Sequence, residues 1–148
     1  MSYVIVDVES DGPIPTEFSM VCFGAVIFDD LLDKTFYGRT RPIADRFVPE
    51  ALAVSGFSRE QHMAFDDPKA VMENFARWLG EQTKGRPIFV SDNLAFDWQF
   101  INYYFQSVSR SEPVRIFRPP HRRSLCRPGQ GRVQSNGVET IPDHCPHP

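Results

Sequence analysis

Three observations predict an α/β fold with a mixed sheet flanked by helices. Short apolar runs occupy the first third of the chain, two longer segments with helical periodicity follow with a compact apolar run between them, and 148 residues suit one domain with its own core. Residues 2–6 read as a buried strand. Residues 18–28 are a second apolar strand containing Gly24, and residues 35–41 a short third one, so the chain opens as an antiparallel meander. Residues 51–55 with Phe57 form a short helix and turn. Ser58 and Gln61, three residues apart, make a capping-box pattern at the start of another. A longer helix begins at Pro68 with Asp67 as its N-cap, carries Val71, Phe75, Trp78 and Leu79 at helical spacing, and ends near Gly80 or Gly85. Residues 87–91 suit a central strand. Asp92 and Asn93 then open a helix over 94–104, with Phe96, Ile101, Tyr104 and Phe105 facing inward.

Composition narrows the class of protein. With 41% hydrophobic and 24% charged residues the chain is an ordinary globular one, and no apolar run approaches the roughly 20 residues needed to cross a bilayer. A cytoplasmic protein without a membrane partner is the expectation. Cys22, Cys126 and Cys145 form no metal-binding or disulfide pattern. The net charge of −3 hides a split: residues 1–109 hold 9 basic against 16 acidic residues, and residues 110–148 hold 7 Arg against 3 acids. Residues 117–148 also carry six of the 13 prolines and no periodic pattern, which predicts a main domain over 1–113 and an irregular, poorly ordered Arg/Pro-rich tail over 114–148.

The chemistry concentrates in two segments. In Val4-Ile5-Val6-Asp7-Val8-Glu9-Ser10-Asp11-Gly12-Pro13 a strand delivers Asp7 and Glu9 to one face, since side chains at i and i+2 point the same way. Two carboxylates side by side need a cation or a proton, and carboxylate oxygens are what Mg²⁺ prefers. Solvated acids leading into a turn are the competing reading of these residues alone. In Ser91-Asp92-Asn93-Leu94-Ala95-Phe96-Asp97, Asp97 sits one turn inside a helix that follows a central strand. If that strand neighbours the first, Asp97 joins Asp7 and Glu9. Asn93, at i−4, is either the helix N-cap or a group that orients Asp97.

These two segments together, with Ala51-Leu52-Ala53-Val54-Ser55-Gly56 between them, resemble motifs one and two of the DEDD 3'-5' exonucleases, the superfamily of RNase T, oligoribonuclease and the proofreading subunit of DNA polymerase III. The likeness covers residues 1–113. It implies a ribonuclease H-like mixed sheet flanked by helices, the exonuclease fold, incomplete at its C-terminus. It also implies Asp7, Glu9 and Asp97 as catalytic metal ligands for two Mg²⁺ or Mn²⁺ ions, with Asp7 bridging both. The reaction implied is two-metal phosphodiester hydrolysis, releasing nucleotides from a single-stranded 3' end or short oligonucleotide. Met20, Asn93, Phe96 and Trp98, with Phe18, are the candidate substrate contacts, because apolar and aromatic side chains grip unstacked bases. Family members often dimerise, so a homodimer is among the expected assemblies.

One part of the family pattern is missing. The third motif places a His or Tyr four or five residues before a fourth carboxylate, and neither His121 nor His144 stands at that spacing before Glu139 or Asp143. No general base is carried over. The sequence of 117–129 is compatible with codons that, read one base later, spell ordinary α/β composition, so a frameshift near Val114 is the expected origin of the tail. The rival reading of the tail is a basic nucleic-acid-binding extension. Three functions therefore stay open: an exonuclease impaired by the missing motif, a catalytically silent nucleotide- or nucleic-acid-binding remnant of that fold, and a domain whose acids are merely solvated.

Overall fold

A computed structural model describes residues 2–110 and Phe117. Strand β1 (Tyr3–Ser10) lies inside a four-stranded sheet of order β3-β2-β1-β4, where β2 is Met20–Ile27, β3 is Thr35–Arg39 and β4 is Ile88–Val90. β2 runs antiparallel to β1 and β3 antiparallel to β2, whereas β4 runs parallel to β1, pairing Ile5 with Val90. The sheet is mixed, as expected. β1 extends four residues beyond the predicted strand, so Asp7 and Glu9 stand within the sheet rather than in a turn.

Strict alternation explains that extension. Val4, Val6 and Val8 are buried on one face, and Tyr3, Ile5, Asp7 and Glu9 occupy the other, opposite Val26, Gly24 and Cys22 of β2. Valines suit this pleated, half-buried surface. The register shifts between Glu9 and Ser10, ending the regular ladder beside the two acids.

The helices follow the capping chemistry of their sequences. Helix α1 (Pro49–Val54) starts on Pro49, whose missing N–H costs nothing in the first turn. At α2 (Arg59–Met63) the Ser58 hydroxyl accepts the Gln61 N–H at 3.2 Å, and the Gln61 side chain accepts the Ser58 N–H at 2.8 Å. Helix α3 (Pro68–Gln82) is capped by Asp67, which accepts the Ala70 N–H at 3.2 Å, and it passes through Gly80. The helix predicted over 94–104 is α4 (Leu94–Tyr103), which widens into a π-helical turn at Tyr104–Val108. That widening accompanies full burial of the consecutive side chains Tyr104 and Phe105.

The core forms where α3, α4 and the π-turn cover the valine face of the sheet. It joins Val4, Val6, Phe23 and Phe89 to Val71, Met72, Phe75 and Leu79 of α3 and to Phe100, Ile101 and Tyr104. Gly38 on β3 permits the close approach of α3, because a Cβ there would stand 2.7 Å from both Phe23 and Val71. Met20, a predicted substrate contact, is fully buried in this core, which corrects that expectation: it begins β2 on the covered side. Trp98 likewise turns inward, meeting Phe89 edge-on at 5.2 Å.

Phe117, in the segment expected to be an irregular tail, packs against the main domain. It is completely buried, with its ring 5.2 Å from Phe89, 6.0 Å from Trp98 and 6.2 Å from Phe75. A residue expected in an irregular tail thus completes the aromatic core. The remainder of the tail, including the frameshift reading and its arginines from Arg118 onward, lies outside the described residues. Among the described residues no helix is long and apolar enough to cross a membrane. Phe117→Ala is expected to lower unfolding free energy by about 3 kcal/mol or more, the usual cost of emptying a buried Phe site, measured by urea denaturation; a change under ~1 kcal/mol would place Phe117 outside the core.

Candidate metal and nucleic-acid site

Parallel pairing of β1 with β4 determines where the acids meet. The chain leaves β4 at Val90 beside the middle of β1, and residues 91–93 turn directly into α4. That short connection brings Asp92 and Asp97 to the end of β1 that carries Asp7. One carboxylate oxygen from each of Asp7, Asp92 and Asp97 lies within 4.8 Å of the other two. Asp7 and Asp92 are exposed and Asp97 is buried.

Asp97 is fixed by two donors. Its Oδ1 accepts the backbone N–H of Val8 at 3.0 Å, and its Oδ2 accepts the Ser91 hydroxyl at 2.6 Å. Burial holds its carboxyl above the ordinary range; the Ser91 and Val8 donors pull it back, while Asp7 and Asp92 push it further up. Glu9 is also held above its ordinary range, first by burial and then by the negative charges of Asp7 and Asp97. Glu9 therefore senses the cluster from two residues along the same face, although the compact trio contains Asp92 in the place expected for it.

Asp92 is the site residue that sequence reasoning missed. It reads as a helix cap, and only the β1–β4 pairing shows that residues directly after β4 reach Asp7. Asn93 differs from expectation as well: its side chain makes no capping bond, and its carbonyl accepts the N–H groups of Phe96 and Asp97 instead. The group that orients Asp97 is Ser91. The signal for it was present, since the residue closing a strand next to a carboxylate helix has its hydroxyl within reach.

Beside the cluster lies a groove of about 320 Å³ lined by Glu9, Ser10, Gly12, Pro13, Val48, Ala51, Val54 and Phe96. Its size falls at the lower end of small-molecule sites, and its lining is mostly apolar with one carboxylate, Glu9. Phe96 lines this groove together with Glu9, whereas Met20 and Trp98 are not among its lining residues. Phe18 packs beneath the loop: it is buried, and a Cβ on Gly12 would lie 2.1 Å from its ring, so only glycine fits there. Gln99 of α4 donates to the Pro13 carbonyl at 3.1 Å, tying the loop to the helix that carries Asp97.

The chain shares 40% identity over 118 residues with a protein of Escherichia coli named 3'-5' DNA exonuclease Cap18; the match covers 77% of this chain and 62% of that protein. No family model matches the chain. Among solved structures, E. coli exonuclease I in complex with a dT13 oligonucleotide superposes with a TM-score of 0.63 at 17% identity, covering 76% of this chain and 25% of that one. A zinc-bound complex of the same exonuclease with single-stranded DNA superposes with a TM-score of 0.61 at 16% identity, covering 76% and 24%. The described sheet and helices therefore have the exonuclease fold.

The geometry yields two expectations for divalent cations. Ser91→Ala, which removes a donor to Asp97, is expected to weaken Mn²⁺ binding about tenfold by calorimetry, the lower range for loss of a group that orients a ligand. Because Glu9 and Asp97 hold their protons more tightly than ordinary carboxyls, acidification is expected to weaken Mn²⁺ binding from a higher pH than ordinary carboxylates would, by up to about tenfold per pH unit for each proton displaced. A pH-independent affinity between pH 4 and 6 would contradict that assignment.

Proposed function

We propose that this chain is a member of the 3'-5' exonuclease family and hydrolyses phosphodiester bonds at the 3' end of single-stranded DNA with the help of divalent metal ions. The observation that carries the proposal is the convergence of Asp7, Asp92 and Asp97 within 4.8 Å, next to a groove that Glu9 joins to the cluster. The chain spans 62% of the length of the relative named as a DNA exonuclease, so activity, substrate and metal are read here from this chain's own residues.

The donor set fits hard divalent cations. Three carboxylates whose oxygens lie within about twice the 2.0–2.6 Å metal–oxygen distance can share one ion, and Glu9 supplies a fourth carboxylate for a second. Asp7, Asp92, Asp97 and Glu9 would hold Mg²⁺ or Mn²⁺. When bound, such ions polarise the phosphate and lower the pKa of attached water. The chain's own work is to place the substrate. Phe96, Val48, Ala51 and Val54 offer apolar surface to the terminal sugar and base, which gives grip without sequence readout. Asn93, exposed at the start of the helix that carries Asp97, would be available to a substrate strand there.

The catalytically silent reading keeps one specific observation in its favour. His62, the only histidine among the described residues, is fully buried and faces Asp11, Arg59 and the Met20 carbonyl rather than the acidic cluster. Among the described residues, then, no histidine serves the cluster as a general base, a term worth about 10² to 10⁴ in rate.

A labelled single-stranded DNA oligonucleotide incubated with the purified 148-residue chain and Mg²⁺ or Mn²⁺ separates the readings. Shortening from the 3' end that falls about 10²-fold or more in Asp7→Ala and Asp92→Ala supports the exonuclease. Metal-dependent binding without shortening supports the silent module, and the absence of both would overturn the proposal. Replacing DNA by RNA of the same sequence tests the DNA preference.

A further inference from the structure

Between the groove and α2 lies a buried polar knot that the metal site does not use. Asp11 is completely buried; its Oδ1 accepts the Ser19 N–H at 2.5 Å and its Oδ2 accepts Arg59 Nη1 at 2.8 Å. Its backbone carbonyl accepts the Val48 N–H at 2.8 Å. The Arg59 guanidinium also donates through Nη2 to the Ala44 and Asp45 carbonyls at 3.1 and 3.3 Å and lies 4.6 Å above the Phe47 ring. Its Nη1 is 3.3 Å from Nδ1 of His62, whose Nε2 lies 3.3 Å from the Met20 carbonyl, an arrangement suited to a neutral imidazole carrying its proton on Nε2.

Two segments of the groove meet at this knot. Ser10, Gly12 and Pro13 flank Asp11, and Val48 follows Phe47 directly. Neither segment is regular structure: residues 11–19 and 41–48 connect strands and helices, so their position depends on such cross-links. A planar guanidinium that bonds an aspartate, two carbonyls and an aromatic face spans both segments at once. A lysine ammonium, a point donor without a π-stacking plane, could keep the aspartate but not the whole set.

We propose that Arg59 is a positioning residue for the groove, locking the loop of Asp11 against the loop of Phe47 and Val48 so that the two walls keep a fixed separation beside Glu9. The groove's role as the seat of the terminal nucleotide rests on the function proposed above; the locking itself does not. Arg59 is not among the groove's lining residues and acts through Asp11 and Phe47.

Hydrogen exchange on the full chain tests the lock without any ligand. In Arg59→Ala the Ser19 and Val48 amides, both bonded to Asp11, are expected to exchange about tenfold faster or more, while amides of the β1–β2 ladder keep their protection. Arg59→Lys should fall between wild type and Ala, and it decides the matter alone if the alanine variant does not fold. Unchanged exchange at both amides, or equal loss throughout the sheet, would overturn the proposal. The second measurement is binding of thymidine 5'-monophosphate in the presence of Mn²⁺. Arg59→Ala should weaken it about tenfold with the affinity for Mn²⁺ alone held within twofold, and a parallel loss of Mn²⁺ would refute the separation of groove from metal site. If wild type binds no nucleotide, the assignment of the groove fails, while the exchange result still decides the role of Arg59.

Discussion

Everything at the acidic end of this protein depends on the hydrogen bond from the Val8 amide to Asp97 Oδ1, 3.0 Å long across 89 residues of sequence. Val8 lies between Asp7 and Glu9, so the bond pins the first turn of α4 directly onto the residue that separates the two strand acids. It satisfies a backbone donor beside the bulge that ends the β1–β2 ladder, and it keeps Asp97 from turning away from its like-charged neighbours. With Ser91 on the other oxygen, the carboxylate has little freedom left. A cluster of negative charges that would otherwise spread apart is held together, at the cost of raised proton affinity in Glu9 and Asp97.

The second structural commitment is the buried knot around Asp11. Its network reaches Ser19, Arg59 and Val48 directly, and it sits beside a Met20 backbone whose N–H is accepted by the Tyr104 hydroxyl at 2.8 Å and whose carbonyl accepts the Thr40 hydroxyl at 2.6 Å. Burying a carboxylate and an imidazole together costs free energy unless each polar atom has a partner, and among the described residues every buried side-chain nitrogen or oxygen has one. The desolvation of His62 holds its pKa below the ordinary value, consistent with a neutral ring that accepts from Arg59. The fold thus gathers its acidic cluster where β1, the β4–α4 connection and α4 meet, and uses its buried ionic groups to set the loops beside it.

Much of the fold was legible because the local signals agreed with one another. The alternation of β1, the capping box at Ser58, the Asp67 cap and the apolar spacing of α3 each specify their element without help from distant residues. Asp7 and Glu9 on one face follow from strand periodicity alone. What misled the reading was the assumption that residues near a motif in sequence are near its chemistry in space. Met20 begins a strand whose side chains at that end are buried, and Trp98 projects from α4 toward Phe89 and Phe117 rather than toward Asp97. Phe117 failed for the opposite reason: a single aromatic in a Pro- and Arg-rich stretch carries no periodic signal, yet an aromatic core can recruit it.

The sequence by itself determined the mixed α/β class, the order of its elements, and a strand that presents two acids to one face, since period-2 and period-3.6 patterns act over a few residues. Only the tertiary structure decided that Asp97 does reach them and that Asp92 stands in the cluster as well. The parallel pairing of β4 with β1 is a contact between segments more than 80 residues apart, and it alone places Asp92 within reach of Asp7 and gives Asp97 the Val8 amide. Carboxylates assemble according to which backbones lie side by side, and strand adjacency is the property that local residue patterns do not encode.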